Sequence, residues 1–340
     1  MLALFLIIWL VFTHTIIRKK DGFVYYTLMF IPFVFLMGCR DISVGLDTYQ
    51  YFLNYNNLLH TSWTEVLSMK DPAWAIMEKL SSYICADYYF WQCSYAIIYF
   101  TIYSIIIKRY CSNKLLAIAI LLSAGLYTYA YNISRQMLSI AFVMLSWDLL
   151  NRNKIIQCVL FYSISILTHM SSIVSLPILF LSKVQLRKSV EKLLPLILLL
   201  AFLSFDLLVQ QIGEYLPQYE SYLDNEKELH GGGFITVLWA IELFFSIYVY
   251  YFSSNATWIH RISAIATMIY VGTSILGYSF NYAERMGYVC LPFVMLIFDQ
   301  VYLDMQNRSF LKFMSFMEII CFLCFFYLAF TALNYKTFWE

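Results

Sequence analysis

The chain opens with two apolar blocks separated by a short charged cluster: LALFLIIWLVFTHTII at residues 2–17, RKKDG at 18–22 and FVYYTLMFIPFVFLMGC at 23–39. Each block approaches the roughly 20 apolar residues that an α-helix needs to cross ~30 Å of hydrocarbon. The blocks lack the alternation of a membrane β-strand, which favours helices over a barrel. No basic region precedes the first block and no small-residue cleavage site follows it, so we interpret it as a transmembrane helix rather than a signal peptide.

The same pattern continues along the rest of the sequence. Apolar residue types make up 61% of the 340 residues and charged types 13%, whereas soluble domains hold about 45–50% and 25%. The apolar segments are 2–17, 23–39, 88–107, 115–131, 136–150, 155–168, 171–182, 193–210, 234–252, 262–278, 286–302 and 313–333. The sequence therefore predicts an all-α polytopic membrane protein with about twelve transmembrane helices, forming a single integral membrane domain over residues 1–340.

The distribution of basic residues predicts the orientation of these helices. If the N-terminus lies outside, the inner loops hold fifteen of the 22 basic residues, and every inner loop holds at least one. Both termini are then outside. Two outer loops are long, at residues 40–71 and 211–233. The second ends in the run Gly231-Gly232-Gly233, so it is either a lid over an outer cavity or an ordinary flexible connector.

Three arginines, Arg40, Arg135 and Arg285, lie at outer helix ends, where the orientation rule disfavours positive charge. Ionisable residues at such a depth are candidates for function, although an arginine there can also extend to lipid phosphates. A guanidinium group makes bidentate, charge-assisted bonds to phosphate oxygens. Arginines that converge at one depth therefore fit a diphosphate.

The arginines belong to polar patches, and one further patch contains a histidine. The four patches are Arg40 with Gly45 and Asp47, Asn132-Ile133-Ser134-Arg135-Gln136, Thr168-His169-Met170-Ser171-Ser172, and Asn281-Tyr282-Ala283-Glu284-Arg285. His169 is either a proton carrier near neutral pH or a hydrogen-bonded structural residue. Ser171 and Ser172 begin a predicted helix, whose free N–H groups would favour an anion.

Taken in order, these patches resemble the EpsG/Wzy type of bacterial polysaccharide polymerase. The matching residues are Arg40, Gly45, Asp47, Tyr49 and Tyr51 after the second helix, Arg135-Gln136 at the start of a mid-chain helix, His169 before small polar residues, and Arg285 with Tyr288. Each motif is short, so the specificity comes from the ordered set, which covers most of the chain. Leu46 departs from the family pattern, which often has a small hydroxylated residue there.

The resemblance implies a GT-C-like, multi-pass glycosyltransferase of the bacterial inner membrane, with both termini in the periplasm. Its expected reaction moves a growing glycan from undecaprenyl diphosphate onto a sugar hydroxyl of a fresh lipid-linked repeat unit, in O-antigen or exopolysaccharide synthesis. The expected partners are undecaprenyl-diphosphate-linked oligosaccharides and membrane lipids, with a chain-length regulator as a candidate. No nucleic acid, metal or cofactor is expected.

The resemblance also implies roles for individual residues. The residues expected to bind the diphosphate or the substrate are Arg40, Gly45, Tyr49, Arg135, Gln136 and Arg285. The residues expected to act in catalysis are His169, Asp47 and Glu284. Which of the three takes the acceptor proton is left open, because either carboxylate could instead orient an arginine.

Three other functions stay open on the sequence alone. An O-antigen ligase would use the same donor, but usually with a larger outer domain than the 211–233 loop provides. A flippase would be expected to carry cations deep within several helices, where this sequence has almost none. A membrane acyltransferase could use His14, although no arginine precedes His14 in its helix.

Overall fold

The computed structural model of the chain describes residues 2–17, 22–184, 188–204, 233–277 and 281–305, with separate positions between 312 and 339. Regular structure in these residues is helical, and an isolated bridge pairs Arg40 with Thr337. The all-α prediction is therefore confirmed for the part of the chain described. Contacts divide the chain into two compact units. The first unit is Met1–Ile173 with Phe322–Glu340, and the second is Val174–Cys321. The single membrane domain stays a prediction.

The first unit is built around two long buried helices. Its helices are α1 (Leu2–Ile16), α2 (Phe23–Gly38), α3 (Thr48–His60), α4 (Trp63–Leu67), α5 (Pro72–Ser82), α6 (Tyr88–Tyr110), α7 (Lys114–Ser123), α8 (Leu126–Asn132), α9 (Ser134–Asn151) and α10 (Ile155–Thr168). Helix α9 packs against α6 and α10, and α6 packs against α2. Ser139 and Ser165 each donate to the other's carbonyl oxygen (2.8 and 2.9 Å), which joins α9 to α10 through satisfied polar groups.

The second unit is centred on one helix. A 3-10 helix at Met170–Ser175 precedes α11 (Leu176–Leu181), α12 (Lys188–Leu203), α13 (Gly233–Tyr251), α14 (Trp258–Leu276), α15 (Asn281–Gly287), a second 3-10 helix at Tyr288–Phe293, and α16 (Val294–Asp304). Helix α14 packs against α12, α13, α15 and α16. An ion pair between Arg261 and Glu191 also joins α14 to α12.

In their described residues, the predicted apolar segments up to 286–302 coincide with a helix or with consecutive helical pieces, and residues 205–210 of segment 193–210 lie outside the described residues. Segment 115–131 is divided at Gly125, whose φ of +98° is left-handed and suits glycine. Segment 286–302 contains a 3-10 helix with Pro292, which has no N–H to donate. The predicted loop at 211–233, up to residue 232, and most of segment 313–333 lie outside the described residues.

On length and composition, four of the described stretches could cross a membrane: Tyr88–Tyr110, Lys114–Asn132, Trp258–Leu276 and Ala283–Asp304. Several other apolar helices are shorter, among them α1, α2 and α10. These helices expose large apolar side chains such as Phe23 and Ile156, as lipid-facing surfaces do. The count of about twelve crossings and the positions of the termini stay predictions.

Residues 40–71, predicted as a long outer loop between two membrane helices, are largely helical; their place outside the membrane stays a prediction. One face of α3 is buried at helical spacing, through Thr48, Tyr51, Tyr55 and Leu58. A capping box of Ser62 and Glu65 starts α4. Lys79 of α5 then donates to three carbonyls at the end of α3 (2.9–3.1 Å), so α3, α4 and α5 are packed together.

A tight turn joins α2 to α3 and depends on Gly45. Its φ is +96°, in the left-handed region, and a Cβ atom here would overlap the carbonyl oxygen of Tyr131. Two hydrogen bonds attach the turn to the end of α8. Leu46 N–H donates to Asn132 Oδ1 (3.0 Å), and Thr48 Oγ1 donates to Tyr131 O (3.1 Å).

We expect Gly45→Ala to destabilise the protein by at least about 2 kcal/mol, because the left-handed conformation disfavours a side chain and the new methyl group meets backbone. The measurement is the thermal midpoint of purified protein in detergent. Leu46→Ala is the matched control, since Leu46 is the adjacent residue and is 89% exposed. Equal midpoints for the two variants would contradict this account of the turn.

Candidate active site

Three polar side chains from separate helices meet at one end of the first unit. Asp71 directly precedes α5, Arg135 lies in the first turn of α9, and His169 directly follows α10. Arg135 Nη1 donates to Asp71 Oδ2 at 2.8 Å. His169 Nδ1 lies 3.9 Å from Asp71 Oδ1. We call Asp71, Arg135 and His169 the Asp71 cluster.

The Asp71 cluster is partly open to its surroundings. The side chains of Arg135 and His169 are 35% and 30% exposed, whereas that of Asp71 is 5% exposed. Asp71 Oδ1 and His169 Nδ1 are both buried, and neither has a hydrogen-bond partner among the described residues. Their separation is too long for a hydrogen bond. Because buried polar atoms are normally paired, two complementary atoms facing each other unbonded mark a candidate functional site.

The guanidinium of Arg135 packs against a group of aromatic rings. The guanidinium carbon lies 5.2 Å from the centroid of the Tyr51 ring, a cation–π distance. Tyr51 packs against Trp74, and Trp74 packs edge-on against Trp91, with centroid separations of 5.7 and 5.0 Å. All three rings are buried. Arg135 is therefore fixed by an aromatic surface as well as by Asp71.

A second carboxyl group, that of Glu78, lies on α5, seven positions after Asp71 in the chain. Glu78 is buried, and its Oε1 has no hydrogen-bond partner among the described residues. Burial raises the pKa of Glu78 to about 8, against the opposing effect of hydrogen bonds from Trp74 and Trp91 and the charge of Arg135. Glu78 is therefore mostly neutral at pH 7.

We expect the stability of the protein to fall as pH rises from about 4.5 towards 8, because the unfolded state then loses the Glu78 proton before the folded state does. The slope from this group is at most about 1.4 kcal/mol per pH unit. Glu78→Gln cannot ionise, so it should remove this slope and raise the thermal midpoint at pH 8. The measurement is the midpoint from pH 5 to pH 8, with the exposed Glu65→Gln as control. Unchanged pH dependence in Glu78→Gln would contradict the assignment.

Arg40 lies in the interior, next to the start of α9. Its Nη1 donates to Met37 O (2.8 Å), its Nη2 donates to Ser134 Oγ (3.3 Å), and its guanidinium lies over the Tyr131 ring. Arg40 is only 1% exposed, so a diphosphate cannot reach it in this conformation. The geometry favours a structural role for Arg40, which holds Ser134, the residue that precedes Arg135. Diphosphate binding by Arg40 stays a prediction.

The remaining predicted site residues of the first unit are Gly45, Asp47, Tyr49 and Gln136. Asp47 is half-buried where α3 begins, and its carbonyl accepts the N–H of Tyr51 (3.0 Å). Burial raises the pKa of Tyr51, Arg135 opposes that rise, and the charge of Asp47 adds to it. Tyr49 is exposed and Gln136 is buried. Gly45 lies in the turn before α3, and its structural role is to allow the left-handed backbone of that turn.

Buried serines hold the His169 segment. The Ser139 hydroxyl of α9, which donates to Ser165 O, lies 3.4 Å from the carbonyl oxygen of His169 and forms a hydrogen bond with Ser172. Ser172 is 1% exposed and lies within a 3-10 helix. These contacts favour a packing role for Ser172 over the predicted role in anion binding, and they fix the backbone beside the imidazole.

Glu284 and Arg285 belong to the second unit, where both lie on α15. Arg285 is exposed. Glu284 is half-buried, and its Oε1 accepts a hydrogen bond from Tyr288 Oη (2.8 Å). This contact joins Glu284 to Tyr288, the aromatic residue of the predicted Arg285–Tyr288 motif. Participation of Glu284 and Arg285 in the site stays a prediction.

Asp71, which lies beside both Arg135 and His169, is not among the site residues expected from the sequence. A signal for it was present, because Asp71 lies in the predicted outer segment 40–71, directly before Pro72. The orientation rule cannot find such a residue, since acidic residues contribute little to it. In the part of the chain that the structure describes, no three His, Cys, Asp or Glu side chains are grouped as metal ligands would be.

Comparison with known proteins gives one match. The EpsG family model matches residues 23–339. The matched range contains all three residues of the Asp71 cluster and also Glu284 and Arg285. Neither a curated protein nor a solved structure matches the chain.

Proposed function

The chain belongs to the EpsG family, a Wzy-type polymerase family, and we propose that it polymerises undecaprenyl-diphosphate-linked oligosaccharide repeat units. Its apolar helices and its family indicate a multi-pass membrane protein. The proposal places the reaction at the periplasmic face of a bacterial inner membrane. The product is an O-antigen or an exopolysaccharide.

The Asp71 cluster is the observation that most supports this proposal. Glycosyl transfer from a lipid diphosphate needs a cation where negative charge develops on the leaving group. It also needs a base for the proton of the acceptor hydroxyl. The cluster brings a half-exposed guanidinium and a half-exposed imidazole to opposite oxygens of one carboxylate. Both requirements are thus met within one small region.

In the proposed reaction, the bond between the anomeric carbon of the growing glycan and its diphosphate oxygen breaks. A hydroxyl oxygen of the fresh lipid-linked repeat forms the new bond to that carbon. The hydroxyl proton passes to a protein base, and undecaprenyl diphosphate leaves with the bonding electron pair. The donor is already activated, so the step requires no nucleotide.

Arg135 is the residue we propose for the leaving diphosphate. Its guanidinium is held by Asp71 and Tyr51 before substrate arrives, so little reorganisation is needed when charge develops. One preorganised donor of this kind is worth about 2.7–4 kcal/mol in other enzymes. His169 is the residue we propose for the acceptor proton. Arg285 and Gln136 are proposed as further substrate contacts.

The proposal also covers the fold, the position of the termini and the partners of the enzyme. The fold is GT-C-like, both termini are periplasmic, and the enzyme works with membrane lipids around it. A chain-length regulator is a candidate partner. No nucleic acid, metal or cofactor takes part.

The test is the surface glycan of a strain from which the coding sequence has been deleted. If the chain is a polymerase, the lipopolysaccharide core should carry a single repeat unit, and the wild-type sequence on a plasmid should restore the ladder. Loss of all repeat units from the core would instead indicate a ligase or a flippase and would contradict the proposal. For an exopolysaccharide, the equivalent result is accumulation of single lipid-linked repeats.

A further inference from the structure

Asp71 offers its two carboxylate oxygens to two different side chains. Oδ2 accepts from Arg135 at 2.8 Å, and Oδ1 faces His169 Nδ1 at 3.9 Å. We propose that Asp71 is the positioning residue for His169. It holds the Nδ1–H of the imidazole so that Nε2 accepts the proton of the acceptor hydroxyl. This inference rests on the proposed function.

The orientation of the ring follows from the chemistry of the two partners. An ionised carboxylate can only accept hydrogen bonds, so the imidazole nitrogen that faces it is the one that carries the proton. Nδ1 is the nitrogen that faces Asp71 and is buried. In the neutral imidazole the lone pair is then on Nε2. The carboxylate therefore selects the tautomer that can act as a base, as in carboxylate–histidine pairs of hydrolases.

The separation of the two atoms is compatible with this role. Closing the gap from 3.9 Å to a hydrogen bond requires a movement of about 1 Å. His169 lies outside α10 in extended backbone, with φ −160° and ψ 118°, so helix geometry does not restrict its side chain. Catalytic hydrogen bonds are often long without substrate and tighten when it binds.

The ion pair with Arg135 fixes the position of the Asp71 carboxylate. A buried carboxylate without a cationic partner is costly, and Asp71 is 5% exposed. Pairing Oδ2 with Arg135 gives the carboxylate a cationic partner and leaves Oδ1 directed at His169. In the part of the chain that the structure describes, no other carboxylate lies within 4 Å of a His169 nitrogen. Asp47 is therefore not the partner of His169 in this conformation.

The experiment is a double-mutant cycle on purified enzyme with a lipid-linked repeat unit as substrate. The variants are Asp71→Asn, His169→Gln and the combination of both. Asparagine is isosteric with aspartate, and the Asp71 side chain makes no capping hydrogen bond to α5, so the start of α5 should persist. Asp87→Asn is the matched control, because Asp87 is the N-cap of α6 and is exposed. It should match the wild type.

If Asp71 acts through His169, Asp71→Asn should lower kcat at least about 10-fold with little change in KM. In the His169→Gln background the same substitution should cost less than about 3-fold, because the base is already absent. Asp71→Glu keeps the carboxylate and should recover part of kcat. Equal fold losses in both backgrounds would overturn the proposal, since they would show that Asp71 acts independently of His169.

A second double-mutant cycle combines Asp71→Asn with Arg135→Lys and measures the coupling of Asp71 to Arg135, its other neighbour. Coupling of Asp71→Asn to Arg135→Lys alone, with none to His169→Gln, would also overturn the proposal. If Asp71→Asn accumulates poorly, Asp71→Ser, which also removes the carboxylate and is a favoured residue at the start of a helix, takes its place in the same cycle with the same criteria. The proposed function fails in a different way, namely when the wild-type enzyme forms no polymer from the lipid-linked repeat. The two failures are thus distinguishable.

Discussion

Replacing His169 with glutamine should lower the turnover number for polymerisation about 10²–10⁴-fold, the usual contribution of general acid–base catalysis. Glutamine keeps a polar side chain of similar size but cannot take up a proton. KM for the lipid-linked donor should change little, because the lost interaction belongs to the transition state. The measurement is kcat and KM of purified His169→Gln protein. His60→Gln is the control, since His60 is exposed at the end of α3 and should behave as the wild type.

Two other outcomes would assign His169 differently. A higher KM with unchanged kcat would make it a diphosphate ligand. A lower thermal midpoint with normal kinetics would make it a structural residue, held in place by the Ser139 contact. Either result would leave electrostatic stabilisation by the arginines as the main catalytic effect.

Replacing Arg135 with lysine should lower turnover about 10²-fold, although the charge is kept. The guanidinium lies over the Tyr51 ring while donating to Asp71, and 35% of the side chain stays exposed for a ligand. An ammonium group is a point donor and cannot form the bidentate fork while keeping both contacts. The measurement is ladder length in the complemented deletion strain, together with kcat of the purified variant.

Arg109→Lys is the matched control for this prediction. Arg109 is 37% exposed and pairs with Asp148 at the opposite end of α9, so it resembles Arg135 in burial and in charge partner. We expect its substitution to change turnover less than about 3-fold, since partly exposed ion pairs contribute little. A full-length ladder from Arg135→Lys would reduce Arg135 to a generic positive charge. Arg285→Lys applies the same test to the second unit.

The helices could be predicted where the apolar runs are continuous. The segments 23–39, 88–107 and 155–168 coincide with α2, α6 and α10 to within a few residues. Helix α3 was missed because its buried face consists mostly of Tyr51, Tyr55 and Leu58 within an otherwise polar stretch. Such a segment has no membrane-length apolar run. Its helix becomes evident from the packing against α5.

The site could be predicted in part. Arg135 and His169 were found because each is an ionisable group at a predicted outer helix end, and the structure brings both to Asp71. Arg40 was chosen by the same rule, yet it is buried against Tyr131, which lies 91 positions further along the chain. Contacts at such a separation depend on helix packing. No local pattern distinguishes a buried arginine from an accessible one.

Reconstitution tests directly whether the protein joins lipid-linked repeat units into a polymer. Purified wild-type protein in liposomes is given a synthetic undecaprenyl-diphosphate-linked repeat unit as its only glycan substrate, and the products are separated by mass. We expect lipid-linked oligomers of two or more repeats, with one undecaprenyl diphosphate released for each new linkage. Arg135→Lys and His169→Gln should form much less of both products. Single repeats that stay unjoined, or that only move across the bilayer, would contradict this expectation.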